Sequence, residues 1–246
     1  MERQVFLVHG AWHGAWAWER VIPLLASAGV ECFALELPGH GEDRGPFGDL
    51  DSDVARVQQK LDDCDGHVVL VGHSYGGAVI TEAGLHPAVQ HLVYVAAFAL
   101  DEGESCVGAA GAESEAGQIS HDGRPNLSAG FIMGSGDVIT LDPASAAECF
   151  YNDCDADTVA WALGRLGPQP LITLQGTTKR AAWRTKPSTY VVCDDDMAVH
   201  PDLQRIMARR CGSMIEWPTG HSPFLCRPDL VADLLVDLAQ GSVRRS

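Results

Sequence analysis

Positive charge is what this 246-residue chain has least of: 17 lysines and arginines face 33 aspartates and glutamates, for a net charge of −16. Nucleic acids and anionic membranes are held by basic patches, so neither is an expected partner. Long apolar runs are also missing. Nothing approaches the roughly 20 apolar residues of a membrane-spanning helix, and no span is expected. Met1-Glu2-Arg3 leads only into the short run from Val5 to Val8, too short for the core of an export signal. The eight cysteines (Cys32, Cys64, Cys106, Cys149, Cys154, Cys193, Cys211 and Cys226) contain no Cys-x-x-Cys pair. The sequence therefore carries no zinc signature, and the expectation is reduced thiols in a cytoplasmic protein that needs no metal or organic cofactor.

What the chain does have is an alternation of short apolar runs and helical patterns. Strands are expected at Gln4–Val8, Glu31–Leu35, His67–Val71, Leu92–Ala96, Thr189–Cys193 and Ser213–Trp217. Helices are expected over Trp18–Ala28, Asp51–Cys64, Ser74–Leu85, Pro201–Arg210 and Pro228–Gln240. The rhythm stops between residues 99 and 187, where Gly-Ala-Ser-rich stretches are mixed with helical pieces near Pro143–Tyr151 and Asp155–Leu163. These features predict an α/β fold with a mainly parallel, six-stranded, doubly wound sheet. Residues 1–98 and 188–246 would form its core, and 99–187 a helical insertion. Ligand sites in such sheets form beyond the carboxyl ends of the strands. The loops at 9–14, 72–77, 194–201 and 218–224 all follow strands and should converge there.

One of these loops holds Gly72-His73-Ser74-Tyr75-Gly76 between a buried-type strand and a helix. Glycines at both ends allow a turn sharp enough to expose the Ser74 hydroxyl above the sheet. A hydroxyl needs a base to become a nucleophile. Of ten histidines, His221 follows the last strand and completes the chain order Ser, acid, His. His73 neighbours Ser74, but the sharp turn should point its side chain away; the remaining histidines, His121 among them, fit loop, capping or surface roles. The acid that orients the imidazole should come from Asp194, Asp195 or Asp196, with Asp101 as an outside candidate. An oxyanion needs two backbone donors; the N–H groups of Tyr75 and Ala11 are in the right loops, and Gly10 lets the backbone come close.

The four loop motifs together resemble the α/β-hydrolase superfamily. The similarity is to the branch of plant-type methyl-ester hydrolases, bacterial carboxylesterases and hydroxynitrile lyases. Its most specific element is Val8-His9-Gly10-Ala11-Trp12-His13-Gly14-Ala15-Trp16. Leu37-Pro38-Gly39-His40-Gly41, Gly72-His73-Ser74-Tyr75-Gly76-Gly77 and Gly220-His221-Ser222-Pro223 follow in order. The resemblance implies that 99–187 is a cap over the active site. It also implies that Asp196, a few residues before Pro201, is the triad acid. Gly10, Trp12 and Phe224, with Phe131 and Trp161 from the cap, are the expected substrate contacts. Lyases of the branch carry a hydroxyl or amide side chain where Gly10 stands, and some a lysine where Ser222 stands. The expectation is therefore a serine carboxylesterase acting on small to medium esters. A lyase and a slow-turnover receptor are the alternatives, and a homodimer is left open.

Overall fold

The computed structural model describes residues 3–64, 66–110, 124–125 and 127–241. Elements run in the order β1 (Arg3–Val8), α1 (Ile22–Ser27), β2 (Cys32–Leu35), α2 (Leu50–Asp62), β3 (His67–His73), α3 (Gly76–Ala83) and β4 (Val89–Val95). Next come α4 (Cys106–Ala110), β5 (Phe131–Met133), β6 (Val138–Leu141), α5 (Pro143–Phe150), α6 (Ala156–Leu163), β7 (Gln169–Pro170) and α7 (Leu171–Gln175). The chain closes with β8 (Ser188–Cys193), α8 (Pro201–Ala208), β9 (Ser213–Trp217), α9 (Pro223–Cys226) and α10 (Pro228–Gln240).

Six strands form one sheet in the order β2-β1-β3-β4-β8-β9, with every pairing parallel. A strand covered by helices on both faces must be apolar on both faces. Val68, Val69, Leu70 and Val71 of β3 are all fully buried, and β3 lies inside the sheet. The helix expected over Trp18–Ala28 is split into a 3-10 turn at Ala15–Trp18 and α1. Pro23 has no N–H to give, so it sits in the first turn of α1 and the regular helix begins there. Aspartates at the N-caps of α2, α5 and α6 accept from the N–H three residues on.

Between β4 and β8 the described residues hold four helices and a second, three-stranded antiparallel sheet, β5-β6-β7. The sequence pattern announces α5 and α6 but not the five-residue α4 and α7, nor the strands, which are two to four residues long. This layer is tied to the loop after β1. Trp12 donates from its backbone N–H to Gln169 Oε1 (3.0 Å) and from its indole N–H to the Ile139 carbonyl (2.9 Å). Part of the Gly-Ala-Ser-rich stretch before residue 118, and His121, lie outside the described residues.

Candidate active site

The turn after β3 is built so that only glycine fits around Ser74. A Cβ on Gly72 would stand 2.5 Å from the Gly76 carbonyl oxygen, and one on Gly76 would stand 2.6 Å from that of His9. Ser74 itself is held at φ 51°, a left-handed conformation that costs a non-glycine residue about 1–3 kcal/mol. The turn is kept in place by Ser74 N–H to the Val95 carbonyl (3.2 Å) and by Phe98 and Gly77 N–H to the Ser74 carbonyl (3.0 and 2.9 Å).

Ser74 opens into a cavity of about 360 Å³ whose lining also includes His221, Asp196, Ala11 and Tyr75. Behind it, His221 Nδ1–H donates to Asp196 Oδ2 at 2.7 Å, with both side chains buried. The structure thus separates the three consecutive aspartates. Asp194 pairs with Arg205; Asp195 donates its backbone N–H to the Thr219 carbonyl (3.0 Å); only Asp196 reaches the imidazole. Its carboxylate is filled: Oδ1 accepts from the Ala198 and Val199 N–H groups (2.7 and 2.9 Å), and Oδ2 also accepts from Gln204 Nε2 (2.7 Å). Asp101 is elsewhere, bound to Arg184 at the surface.

Ala11 and Tyr75 both line the same cavity. Among the described residues, neither the Ala11 N–H nor the Tyr75 N–H donates to a protein group. Tyr75 is the residue after Ser74, and its side chain anchors it below the cavity through a 2.5 Å O–H bond to Asp53 Oδ2. Burial pushes the Asp53 carboxyl up to about 7, so this buried acid holds its proton far above the usual carboxylate range.

Three further histidines surround the site as neutral imidazoles. Burial drives His9 and His73 well below the ordinary value and His13 down to about 4. His13 donates from Nδ1 to the Ala11 carbonyl (2.8 Å) and accepts the Tyr151 O–H at Nε2 (2.9 Å), which fixes the loop carrying Ala11. The sequence suggests that His73 points away from the chemistry. Instead its ring packs 4.5 Å from that of His221, and its Nε2–H donates to the His221 carbonyl (2.9 Å).

The expected contacts divide. Trp12 and Phe131 line the cavity, with ring centroids 5.5 Å apart. Trp161 does not; it packs edge-on to Trp16 at 5.4 Å and under Arg165 at 4.2 Å, outside the cavity. Phe224 is fully buried beneath the site, 4.7 Å from His73 and 5.0 Å from Trp18, because the turn that presents His221 folds the next apolar side chain into the core. Gly10 is not on the cavity wall either: a Cβ there would stand 2.8 Å from His73 Nδ1 and 3.0 Å from Ser74 Cβ. Sequence reasoning missed Gln204, Arg124 and the positioning contact of His73. Arg124 lines the cavity and donates to the Asp196 carbonyl (2.8 Å). No spacing rule marks a glutamine on an amphipathic helix, or an arginine in an irregular loop, as a brace for Asp196.

Residues 5–234 match the family model described as "Alpha/beta hydrolase family". The chain is 30% identical to the alpha/beta hydrolase nvfD of Aspergillus novofumigatus, over 97% of each chain. It is 28% identical to methylesterase 2 of Arabidopsis thaliana, over 96% of this chain and 95% of that one. Its fold matches a pyrethroid hydrolase from Sphingobium faniae with a TM-score of 0.82 at 23% identity, over 97% of both chains. The chain belongs to the alpha/beta hydrolase family, in the branch that includes the plant methylesterases, and is an ester-hydrolysing enzyme.

Proposed function

We propose that the chain is a serine carboxylesterase whose triad is Ser74, His221 and Asp196, acting through an acyl-enzyme. The observation that carries this reading is convergence. The Ser74 hydroxyl, the His221–Asp196 pair and two unpartnered backbone N–H groups meet at one cavity. In the proposed reaction His221 Nε2 takes the Ser74 proton as Oγ attacks the ester carbonyl. The Ala11 and Tyr75 N–H groups receive the oxyanion, and Asp196 holds the imidazole tautomer and stabilises the imidazolium. Collapse expels the alcohol, which takes the proton from His221. Water, activated by the same histidine, then attacks the acyl carbonyl and restores Ser74.

The substrate class we infer is small to medium esters with apolar groups. The cavity wall opposite the sheet is built from apolar side chains such as Val107, Leu127, Phe131 and Leu171. These residues belong to 99–187, which supports the reading of that segment as a cap. Gly10 favours hydrolysis over cyanohydrin cleavage, because the hydroxyl or amide side chain of the lyases would collide with His73 and Ser74 here.

The test is turnover of a p-nitrophenyl ester alongside mandelonitrile cleavage, by the wild type and Ser74→Ala. The expected result is ester turnover by the wild type only and no cleavage of mandelonitrile. Ester turnover retained by a folded Ser74→Ala chain would overturn the assignment.

A further inference from the structure

Two cysteines far apart in sequence meet behind the His221 loop. Cys154 follows α5, and Cys226 closes α9, the short helix that begins two residues after His221. Both are free thiols and both are half-buried. Asp153, exposed to solvent, joins them: one ligand atom from each of Asp153, Cys154 and Cys226 lies within 4.8 Å of the other two. The Cys226 Sγ is 3.0 Å from Asp153 Oδ2, and the Cys154 Sγ is 4.0 Å from Asp153 Oδ1. A tetrahedral zinc ion with sulfur at about 2.3 Å and oxygen at about 2.0–2.2 Å sets its ligand atoms about 3.5–3.8 Å apart. The three groups need small adjustments to reach that spacing, and the exposed carboxylate leaves a path from solvent.

The same aspartate is structural. Its Oδ2 accepts the Gly220 N–H at 2.7 Å, directly beside His221. Next to it, Asn152 Nδ2 donates to the Asp195 carbonyl (3.0 Å), beside Asp196. The pair 152–153 therefore braces both loops that carry the proposed base and acid. A Cβ on Gly220 would run into Asn152 and Asp153, so this brace is in close backbone contact.

We propose that Asp153, Cys154 and Cys226 form a binding site for a thiophilic divalent cation of the Zn²⁺ type, and that the bound cation slows turnover through the Gly220–His221 loop. Two thiolates and a carboxylate at this spacing repel one another, and a cation among them removes that repulsion. Soft thiolate ligands select Zn²⁺ over Mg²⁺ or Ca²⁺. On binding, the thiols of Cys154 and Cys226 each release a proton to buffer. The cation gains two sulfur ligands and one carboxylate oxygen, and a water completes the tetrahedron. The oxygen nearest the Cys226 sulfur is Oδ2, the one that holds Gly220, so coordination competes with that hydrogen bond. Loss of the brace shifts the His221 loop. The site is separate from the catalytic cavity and is not needed for ester hydrolysis.

The test uses the full chain, reduced with a non-thiol phosphine, freed of metal and titrated with Zn²⁺ by calorimetry in two buffers. Co²⁺ serves as a spectroscopic probe for thiolate charge-transfer absorption. The expected result is one ion per chain with proton release and a Co²⁺–thiolate band. Cys154→Ser and Cys226→Ser should each weaken binding by more than the roughly 10- to 100-fold that loss of an outer-shell partner costs. No stoichiometric binding in the wild type, or binding undiminished in both variants, overturns the site.

The kinetic arm rests on the esterase reading. Saturating Zn²⁺ should slow wild-type ester turnover by about 10- to 100-fold, and Cys226→Ser should be insensitive relative to its own metal-free rate. Zn²⁺ that binds without slowing the wild type overturns the coupling. A metal-free chain that hydrolyses no ester overturns the esterase reading instead, and the binding arm still decides the site.

Discussion

Replacing Asp53 with asparagine should stabilise this protein, and increasingly so as the pH rises. Asp53 lies on α2, buried under the Ser74 turn, with one oxygen taking the Tyr75 O–H and the other without a partner among the described residues. Burial lifts its carboxyl from 3.8 to about 7. Below pH 3.8 both folded and unfolded chains carry the proton and Asp53 costs nothing. Above 3.8 the unfolded chain releases the proton while the folded chain keeps it, so stability falls with rising pH until about 7, where the folded chain also ionises. At about 1.4 kcal/mol per pH unit, the full loss is about 4 kcal/mol. The asparagine amide keeps an acceptor for the Tyr75 hydroxyl and has no proton to lose. Urea unfolding of both proteins at pH 5, 6, 7 and 8 checks this directly. The advantage of Asp53→Asn should widen by about 2–3 kcal/mol between pH 5 and pH 8. Parallel pH profiles would refute the reasoning, because every other titrating group is common to the two chains. The position under Tyr75 gives a reason for the cost: the Asp53 contact fixes the residue whose backbone N–H is the proposed oxyanion donor.

Two further outcomes follow from the packing of the site. Gln204→Leu removes the Nε2 bond to Asp196 and leaves the buried Cys193 N–H, which donates to Gln204 Oε1 at 2.9 Å, without an acceptor. Stability in urea should fall by about 1–3 kcal/mol, and kcat should fall with it as the acid loses one of its holders. Phe131→Ala opens the cavity wall beside Trp12 and should raise KM for apolar esters. Trp161→Ala, outside the cavity, should leave kcat/KM within about twofold and lower the melting temperature instead, because it removes a partly buried ring packed edge-on against Trp16.

The six strands of the main sheet were legible because central strands such as Val68–Val71 must be apolar on both faces, and because a helical pattern follows nearly every one. The turn at Ser74 was legible for a steric reason: Gly72 and Gly76 stand where a Cβ would strike backbone. The second sheet was not. A strand such as Gln169–Pro170 is held by its place beside β6 and by the Gln169 bonds to Trp12 and His40, and two residues have no period. The aromatic contacts were half legible for the same kind of reason. Phe131 and Trp161 look alike in sequence, and which of them faces the cavity depends on how α6 packs against Trp16. His73 shows the limit most clearly. A residue beside Ser74 in sequence hydrogen-bonds the histidine 148 positions away, through a backbone carbonyl that no motif records.

The central claim is that Ser74 carries the acyl group, and trapping tests it most directly. The wild-type chain is treated with a fluorophosphonate, and the modified peptide is identified by mass spectrometry. One adduct per chain is expected, on Ser74, with ester turnover lost in proportion to labelling, and no adduct on Ser74→Ala. An adduct on another residue that abolishes turnover, or full labelling of Ser74 with turnover intact, would contradict it.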